Sequence, residues 1–101
     1  MPRIGVTVQF QIKPGCFADF NAHIREHARL TLEEEPGCEL FDVLQPLKDD
    51  GTRDESRIVL WEIYENMEAL TAHRANPRMV PVGERNRQLL DGQQIVFAQL
   101  D

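Results

Sequence analysis

The sequence predicts an α+β fold in which a four-stranded antiparallel sheet carries helices on one face. The first observation is a switch in periodicity. Apolar residues recur at every second position over residues 4–12 and then at helical spacing over residues 16–34. The second observation is that this switch recurs later, where the strand-like residues 57–65 lead directly into the helix-like residues 67–75. Two strand-to-helix units of this kind favour a sheet whose helices pack on it as a second layer.

Turn and cap residues separate the predicted elements. A Lys-Pro-Gly turn at residues 13–15 ends the first strand, and a Glu-Pro-Gly segment at residues 35–37 ends the first helix. Asn66 is a favourable N-cap for the second helix. Residues 38–45 and 94–100 read as the remaining strands. The resulting order is βαββαβ, the ferredoxin-like arrangement.

The segment before the last strand is ambiguous. Apolar residues recur at helical spacing over residues 78–90, which suggests a short helix, but Pro81 and Gly83 weaken that interpretation. The dipeptide Asp91-Gly92 predicts a turn that leads into the last strand.

Length and composition limit the range of functions. A chain of 101 residues is expected to form one domain, and 42% hydrophobic residues is an ordinary share for a globular protein. The net charge of −6 argues against nucleic acid or anionic membrane as a partner, because no basic stripe is present. No apolar run approaches the ~20 residues that span a bilayer, and the strand pattern begins too early for a signal peptide. We therefore expect a cytoplasmic protein.

The predicted sheet has one face that its helices leave uncovered. That face is expected to be apolar whichever way the third strand is turned, because this strand has apolar residues on both sides. The residues on the uncovered face are one of two sets: Val59, Trp61 and Ile63, or Ile58, Leu60 and Tyr64. An uncovered apolar face of this size is typical of an association surface, and we expect a homodimer.

Three chemically useful side chains meet where the third strand passes into the second helix. Glu62 and Tyr64 share one face of the strand, and His73 lies beside the buried stripe of the helix. A carboxylate in a strand that is apolar on both sides needs a partner or a function. Arg74, Arg78 or a backbone donor would satisfy it structurally, and His73 would then only interact with the helix dipole. The alternative hypothesis is a pocket with a carboxylate, a phenol and an imidazole.

The first helix contains a His-x-x-Glu-His sequence at residues 23–27, a pattern found in zinc enzymes. At 100° per residue the three side chains do not share one face, so we interpret the match as coincidence and expect no metal. His27, at the edge of the apolar stripe, and Asn21, within it, remain candidate pocket residues.

Several segments resemble one family of small enzymes. Residues 35–44 (EPGCELFDVL), 61–66 (WEIYEN) and 70–79 (LTAHRANPRM) are similar to the antibiotic-biosynthesis monooxygenase (ABM) domain, whose members include small bacterial quinol monooxygenases. The resemblance covers nearly the whole chain. It implies a homodimer whose two sheets face each other as an α+β barrel, with a pocket between sheet and helices in each subunit.

The resemblance also implies an activity: oxidation of a small phenolic or quinol compound by O₂, without metal or flavin. His73 would be the proton acceptor, assisted by Glu62 and Tyr64, while Leu60 and Leu70 would line the pocket. The family's second histidine, in a Pro-His-Met motif, is replaced here by arginine.

That replacement, Arg78, would favour an anionic or carbonyl-bearing ligand. The haem-degrading branch is disfavoured, because the first strand lacks the asparagine which that branch uses. Two other functions stay open. One is a non-redox isomerase or lyase that uses the same acid and base, and the other is a ligand-binding dimer without catalysis.

Overall fold

The computed structural model of the chain describes residues 2–100. Its elements, in chain order, are β1 (Ile4–Ile12), α1 (Phe17–Glu34), β2 (Cys38–Leu44), β3 (Arg57–Tyr64), α2 (Met67–Ala75), α3 (Met79–Leu89) and β4 (Leu90–Gln99). Within the described range, no helix has both the length and the apolarity needed to cross a membrane.

The four strands form one antiparallel sheet in the order β2-β3-β1-β4. One face, here called the inner face, carries the helices. Alternate residues of β1 and β3 are buried on it against α1, whose Phe20 and Ile24 are almost fully inaccessible. The Asn66 side chain accepts a hydrogen bond from the Ala69 amide at 2.8 Å and starts α2 as predicted. The predicted α+β, ferredoxin-like fold is confirmed, with one additional helix.

That additional helix is α3, which occupies the segment whose sequence was ambiguous. Pro81 lies in its first turn, where a backbone N–H would have no partner within the helix, so the missing donor costs little. Val82 is buried, and the helix therefore covers part of the inner face.

The predicted turn at Asp91-Gly92 is wrong, because both residues belong to β4. The strand begins at Leu90, immediately after α3, with no connecting loop. The reason is that Leu89 already contacts the sheet: its carbonyl accepts a hydrogen bond from the Lys13 amide at 2.9 Å. The last helical residue is thus already at the edge of β1.

The opposite face of the sheet, here called the outer face, carries no helix from the described part of the chain. Residues Val59, Trp61 and Ile63 of β3 lie on it and are half-buried, which decides between the two predicted sets. Trp61 packs over Gly5 so closely that a Cβ atom at Gly5 would lie 2.9 Å from the indole ring. The outer face is therefore partly apolar.

Candidate active site

A cavity of about 350 Å³ lies between the inner face and the three helices. Such a volume is at the lower end of the range for small-molecule sites. Most of its lining is apolar and includes the predicted pocket residues Leu60 and Leu70. The polar residues of the lining are His27, Glu62, His73, Arg74, Asn86 and Gln93. The cavity thus combines an apolar body with a few polar groups.

Glu62 contributes a buried carboxyl group to this cavity. The Tyr64 hydroxyl donates a hydrogen bond to Glu62 Oε1 at 2.6 Å, as their shared face of β3 allows. Burial raises the pKa of Glu62 to about 7, an effect that the Tyr64 hydrogen bond opposes and the Glu35 charge reinforces. Burial and the adjacent Glu62 also raise the pKa of Tyr64, so it remains a neutral phenol. Tyr64 itself does not line the cavity; it contacts the site through Glu62.

His73 lies on the inner side of α2 and is 5% exposed. Its Nδ1 atom is 2.8 Å from Oε1 and 3.1 Å from Oε2 of Glu35, the C-cap residue of α1. An ionised carboxylate can only accept hydrogen bonds, so Nδ1 carries the hydrogen. The Nε2 atom then has a free lone pair, and the His73 side chain lines the cavity. This arrangement gives a histidine with a fixed tautomer.

Arg78 completes the arrangement from outside the cavity. Its Nη2 donates to Glu35 Oε2 at 2.6 Å and to Thr31 Oγ1 at 3.0 Å, while its Nη1 donates to Glu34 Oε2 at 2.8 Å. The guanidinium group is therefore engaged within the protein, and Arg78 is absent from the cavity lining. It acts on His73 through Glu35.

His27 faces the same cavity from α1 and is also 5% exposed. Its ring lies 5.5 Å from the His73 ring and packs edge-on against Phe41 at 5.4 Å between centroids. Burial lowers the pKa of His27 to about 3, with further contributions from the charges of His73 and Arg78. His27 is therefore neutral, and its Nδ1 has no partner among the described residues.

The remaining sequence candidate does not reach the cavity. Asn21 lies on α1 away from the lining, where its Oδ1 accepts a hydrogen bond from Arg25 Nε at 2.8 Å. This position reflects the helix geometry: Asn21 is one residue beyond the buried Phe20, which rotates its side chain away from the core.

The side chains of the His-x-x-Glu-His sequence diverge. His23 Nε2 lies 2.9 Å from Asn86 Oδ1 on α3, Glu26 pairs with Arg29 on the exposed side of α1, and His27 lies in the core. Across residues 2–100, no group of three or more histidine, cysteine or acidic side chains is placed to hold a metal ion.

The Glu-Pro-Gly segment at residues 35–37, which follows α1, packs closely against α2 and brings Glu35 to His73. A Cβ atom at Gly37 would lie only 2.5 Å from the Ala69 Cβ, so the two backbones approach more closely than a larger residue allows. The Gly37 carbonyl also accepts a hydrogen bond from the Glu65 amide at 2.9 Å. The Glu-Pro-Gly segment therefore does more than end a helix, since it positions the partner of the site histidine.

Comparison with known proteins identifies the family. The profile of the antibiotic biosynthesis monooxygenase family matches residues 3–80. No functionally curated protein gives a significant match. Solved structures do: a Caulobacter crescentus protein named provisionally as such a monooxygenase has a TM-score of 0.86 at 22% identity, with coverage of 99% of this chain and 91% of that one.

Two further structures show the same fold. A Mycobacterium tuberculosis protein is 25% identical with a TM-score of 0.80, over 98% of this chain and 96% of its own. A conserved Methanosarcina mazei protein is 20% identical with a TM-score of 0.86, over 100% and 95%. The profile match spans more than three quarters of the sequence, and the chain belongs to the antibiotic biosynthesis monooxygenase family.

Proposed function

We propose that the protein is a cofactor-independent monooxygenase that oxidises a small phenolic or quinol compound with O₂. Family membership supports a monooxygenase-like role. The observation that carries the more specific proposal is the hydrogen bond from His73 Nδ1 to Glu35, because it leaves Nε2 as a proton acceptor beside an apolar cavity.

His73 removes the proton from a substrate hydroxyl group. The developing imidazolium is stabilised by the carboxylate of Glu35, which lies 2.8 Å from Nδ1. The resulting phenolate is a far better electron donor than the phenol, and no metal or flavin is required to start the reaction. Leu60 and Leu70 contact the ring and exclude water.

The phenolate then transfers one electron to O₂, and the two radicals combine to form a bond between a ring carbon and oxygen. His73 returns its proton to the terminal peroxide oxygen. Loss of the ring-carbon proton to Glu62 breaks the O–O bond, and the departing hydroxide takes that proton to become water. For a hydroquinone, one O₂ is consumed, one oxygen atom enters the hydroxyquinone product and the other leaves as water.

Glu62 suits this second role because its carboxyl group is poised between its two protonation states. A pKa of about 7 lets it accept and release a proton near neutral pH, and Tyr64 fixes its orientation through the 2.6 Å hydrogen bond. The neutral His27 lines the same cavity and is available to donate a hydrogen bond to a substrate or peroxide oxygen.

We also propose that two copies associate through their outer faces. Three residues of β3 lie on that face: Val59, Trp61 and Ile63. Val96 of β4 lies on the same face across β1 and is 58% exposed. Burial of such a surface is favourable at about 25 cal/mol per Å² of apolar area. The resulting pair of facing sheets would be the barrel that the family resemblance implies.

Variants of the histidine and its partner test the proposed chemistry. We expect His73→Ala to lower kcat for hydroquinone oxidation by about 10²–10⁴-fold, as is usual when a general base is lost. Glu35→Gln should lower it by about tenfold or more, because the imidazolium loses its counter-charge. Glu34→Gln is the matched control, since Glu34 also binds Arg78 but does not contact His73, and it should retain near wild-type turnover.

An oxygen electrode and ¹⁸O₂ labelling provide the measurement. One O₂ should be consumed per substrate, with one labelled atom in the product. Conversion of substrate without O₂ uptake would instead establish the isomerase or lyase alternative, and binding without conversion would establish the ligand-binding alternative. A less stable His73→Ala variant with wild-type kcat would make the histidine purely structural.

The protonation of Glu62 makes folding stability depend on pH. Because its pKa is raised from 4.5 to about 7 in the folded protein, its protonated form stabilises the fold below pH 4.5, and this contribution is lost as pH rises to about 7. The Glu62→Gln variant does not lose stability in this way, because glutamine does not ionise. We expect the unfolding free energy of Glu62→Gln, relative to wild type, to increase by roughly 3 kcal/mol between pH 4.5 and pH 8.

Urea denaturation at fixed protein concentration measures this difference. Glu84→Gln, an exposed carboxylate on α3, is the control and should show no such trend. A constant difference between Glu62→Gln and wild type across the pH range would show that Glu62 is ionised normally.

Sedimentation velocity at micromolar concentration tests association. We expect the wild type to sediment as a dimer and Trp61→Asp to shift toward monomer, because the substitution places a charge within the apolar contact. Val80→Asp removes an apolar residue that is 66% exposed on α3, away from the sheet, and should leave the dimer intact. A folded wild-type monomer would refute the proposal.

A further inference from the structure

Arg74 is a cavity residue that the proposed reaction does not use. It follows His73 on α2 and lines the cavity together with Phe97 of β4. Its guanidinium carbon lies 5.2 Å from the centre of the Phe97 ring, within the range of a cation–π contact. Phe97 is 48% exposed, so the pair forms part of the open side of the cavity.

Arg74 has no acidic partner in the part of the chain that the structure describes. Within residues 2–100 it makes no ion pair with a carboxylate, although the chain carries 17 acidic residues. Arg78 differs in this respect, because it binds both Glu34 and Glu35. Among the described residues that line the cavity, Arg74 is the only arginine or lysine. A positive charge therefore lies at the opening of a cavity whose lining is mostly apolar.

We propose that Arg74 determines substrate specificity by binding an anionic group, such as a carboxylate, attached to the aromatic ring of the substrate. The planar guanidinium suits a carboxylate because it donates two parallel hydrogen bonds. Its stacking on Phe97 holds it in place and leaves its edge for the ligand. The apolar residues of the cavity receive the ring, while the anion stays at the solvent side and escapes the cost of full burial.

This inference rests on the proposed function for the identity of the ring, and it assigns the anionic group to a different arginine from the one that the sequence suggested. Arg78 was expected to receive an anionic group, yet it is held by Glu34, Glu35 and Thr31 outside the cavity. The anion-binding role therefore passes to Arg74, which the sequence suggested only as a structural partner of Glu62.

A matched pair of ring compounds tests the assignment. 2,5-Dihydroxybenzoate and 2,5-dihydroxybenzamide have the same hydroxyl groups and differ in charge. We expect wild-type kcat/KM to be about tenfold or more higher for the acid, as charge-assisted hydrogen bonds imply. Arg74→Gln should bring the kcat/KM values for acid and amide close to each other, and Arg74→Lys should restore part of the preference.

Arg87→Gln is the control, because it removes the same charge from an exposed position of α3 that does not line the cavity. It should keep the wild-type preference. Equal kcat/KM for acid and amide in the wild type, or an unchanged preference in Arg74→Gln, would overturn the assignment.

Calorimetric binding of benzoate and benzamide, which are not quinols, separates this inference from the proposed function. Tighter binding of benzoate to wild type and Arg87→Gln than to Arg74→Gln supports the arginine site even if no compound consumes O₂. Oxygen uptake with equal affinity for both ligands would overturn the arginine site and leave the oxygenase proposal standing.

Discussion

The hydrogen bond between Glu35 and His73 is the interaction on which the site depends. Glu35 directly follows α1, His73 belongs to α2, and Arg78 directly precedes α3. One carboxylate thus connects the three helices, through contacts of 2.8 Å to His73 Nδ1 and 2.6 Å to Arg78 Nη2. Glu35, His73 and Arg78 form hydrogen bonds with one another through the Glu35 carboxylate, so removal of one side chain would leave the charge or donor of another without its partner. The helix arrangement and the tautomer of the histidine are therefore fixed together.

Two carboxyl groups near the cavity differ because their surroundings differ. Glu35 has a guanidinium group and an imidazole as neighbours, which compensate a negative charge. Among the described residues, Glu62 has the neutral hydroxyl of Tyr64 as its hydrogen-bond partner, and burial raises its pKa to about 7. In the proposed reaction Glu35 orients the histidine while Glu62 exchanges protons, and placing two carboxyl groups in different surroundings is a recurrent way to obtain acid and base chemistry near neutral pH.

The parts of the fold that repeat along the sequence could be predicted from it. The alternation of side chains along a strand predicted that Glu62 and Tyr64 share one face of β3 and that Trp61 lies on the other, and the structure confirms this. The start of β4 was missed, because a Gly-containing dipeptide usually marks a turn and here lies in a strand directly after α3. Local composition does not predict this early start of β4, because it results from pairing with β1.

The site was only partly predictable for a similar reason. Glu35 and His73 are 38 residues apart, and nothing in their spacing relates them. The contact exists because Gly37 lets the segment that follows α1 approach α2 closely. This close approach is visible in the packed structure and not in the sequence pattern. Arg78 was assigned to the ligand from its residue type and its position in the family's Pro-His-Met motif, but Glu34 and Glu35 at the end of α1 bind it instead. The periodicity of a sequence therefore does not predict which side chains far apart in the chain become partners.

The most direct test of this account is the tautomer of His73, measured by ¹⁵N NMR of the imidazole in buffer alkaline enough to keep the ring neutral. The wild type should show a protonated Nδ1 and an unprotonated Nε2, with the Nδ1 proton in a strong hydrogen bond to Glu35. In Glu35→Gln that hydrogen bond should weaken and both tautomers should be populated. A wild-type ring protonated at Nε2 would contradict the account, because the nitrogen facing the substrate would then have no lone pair to accept its proton.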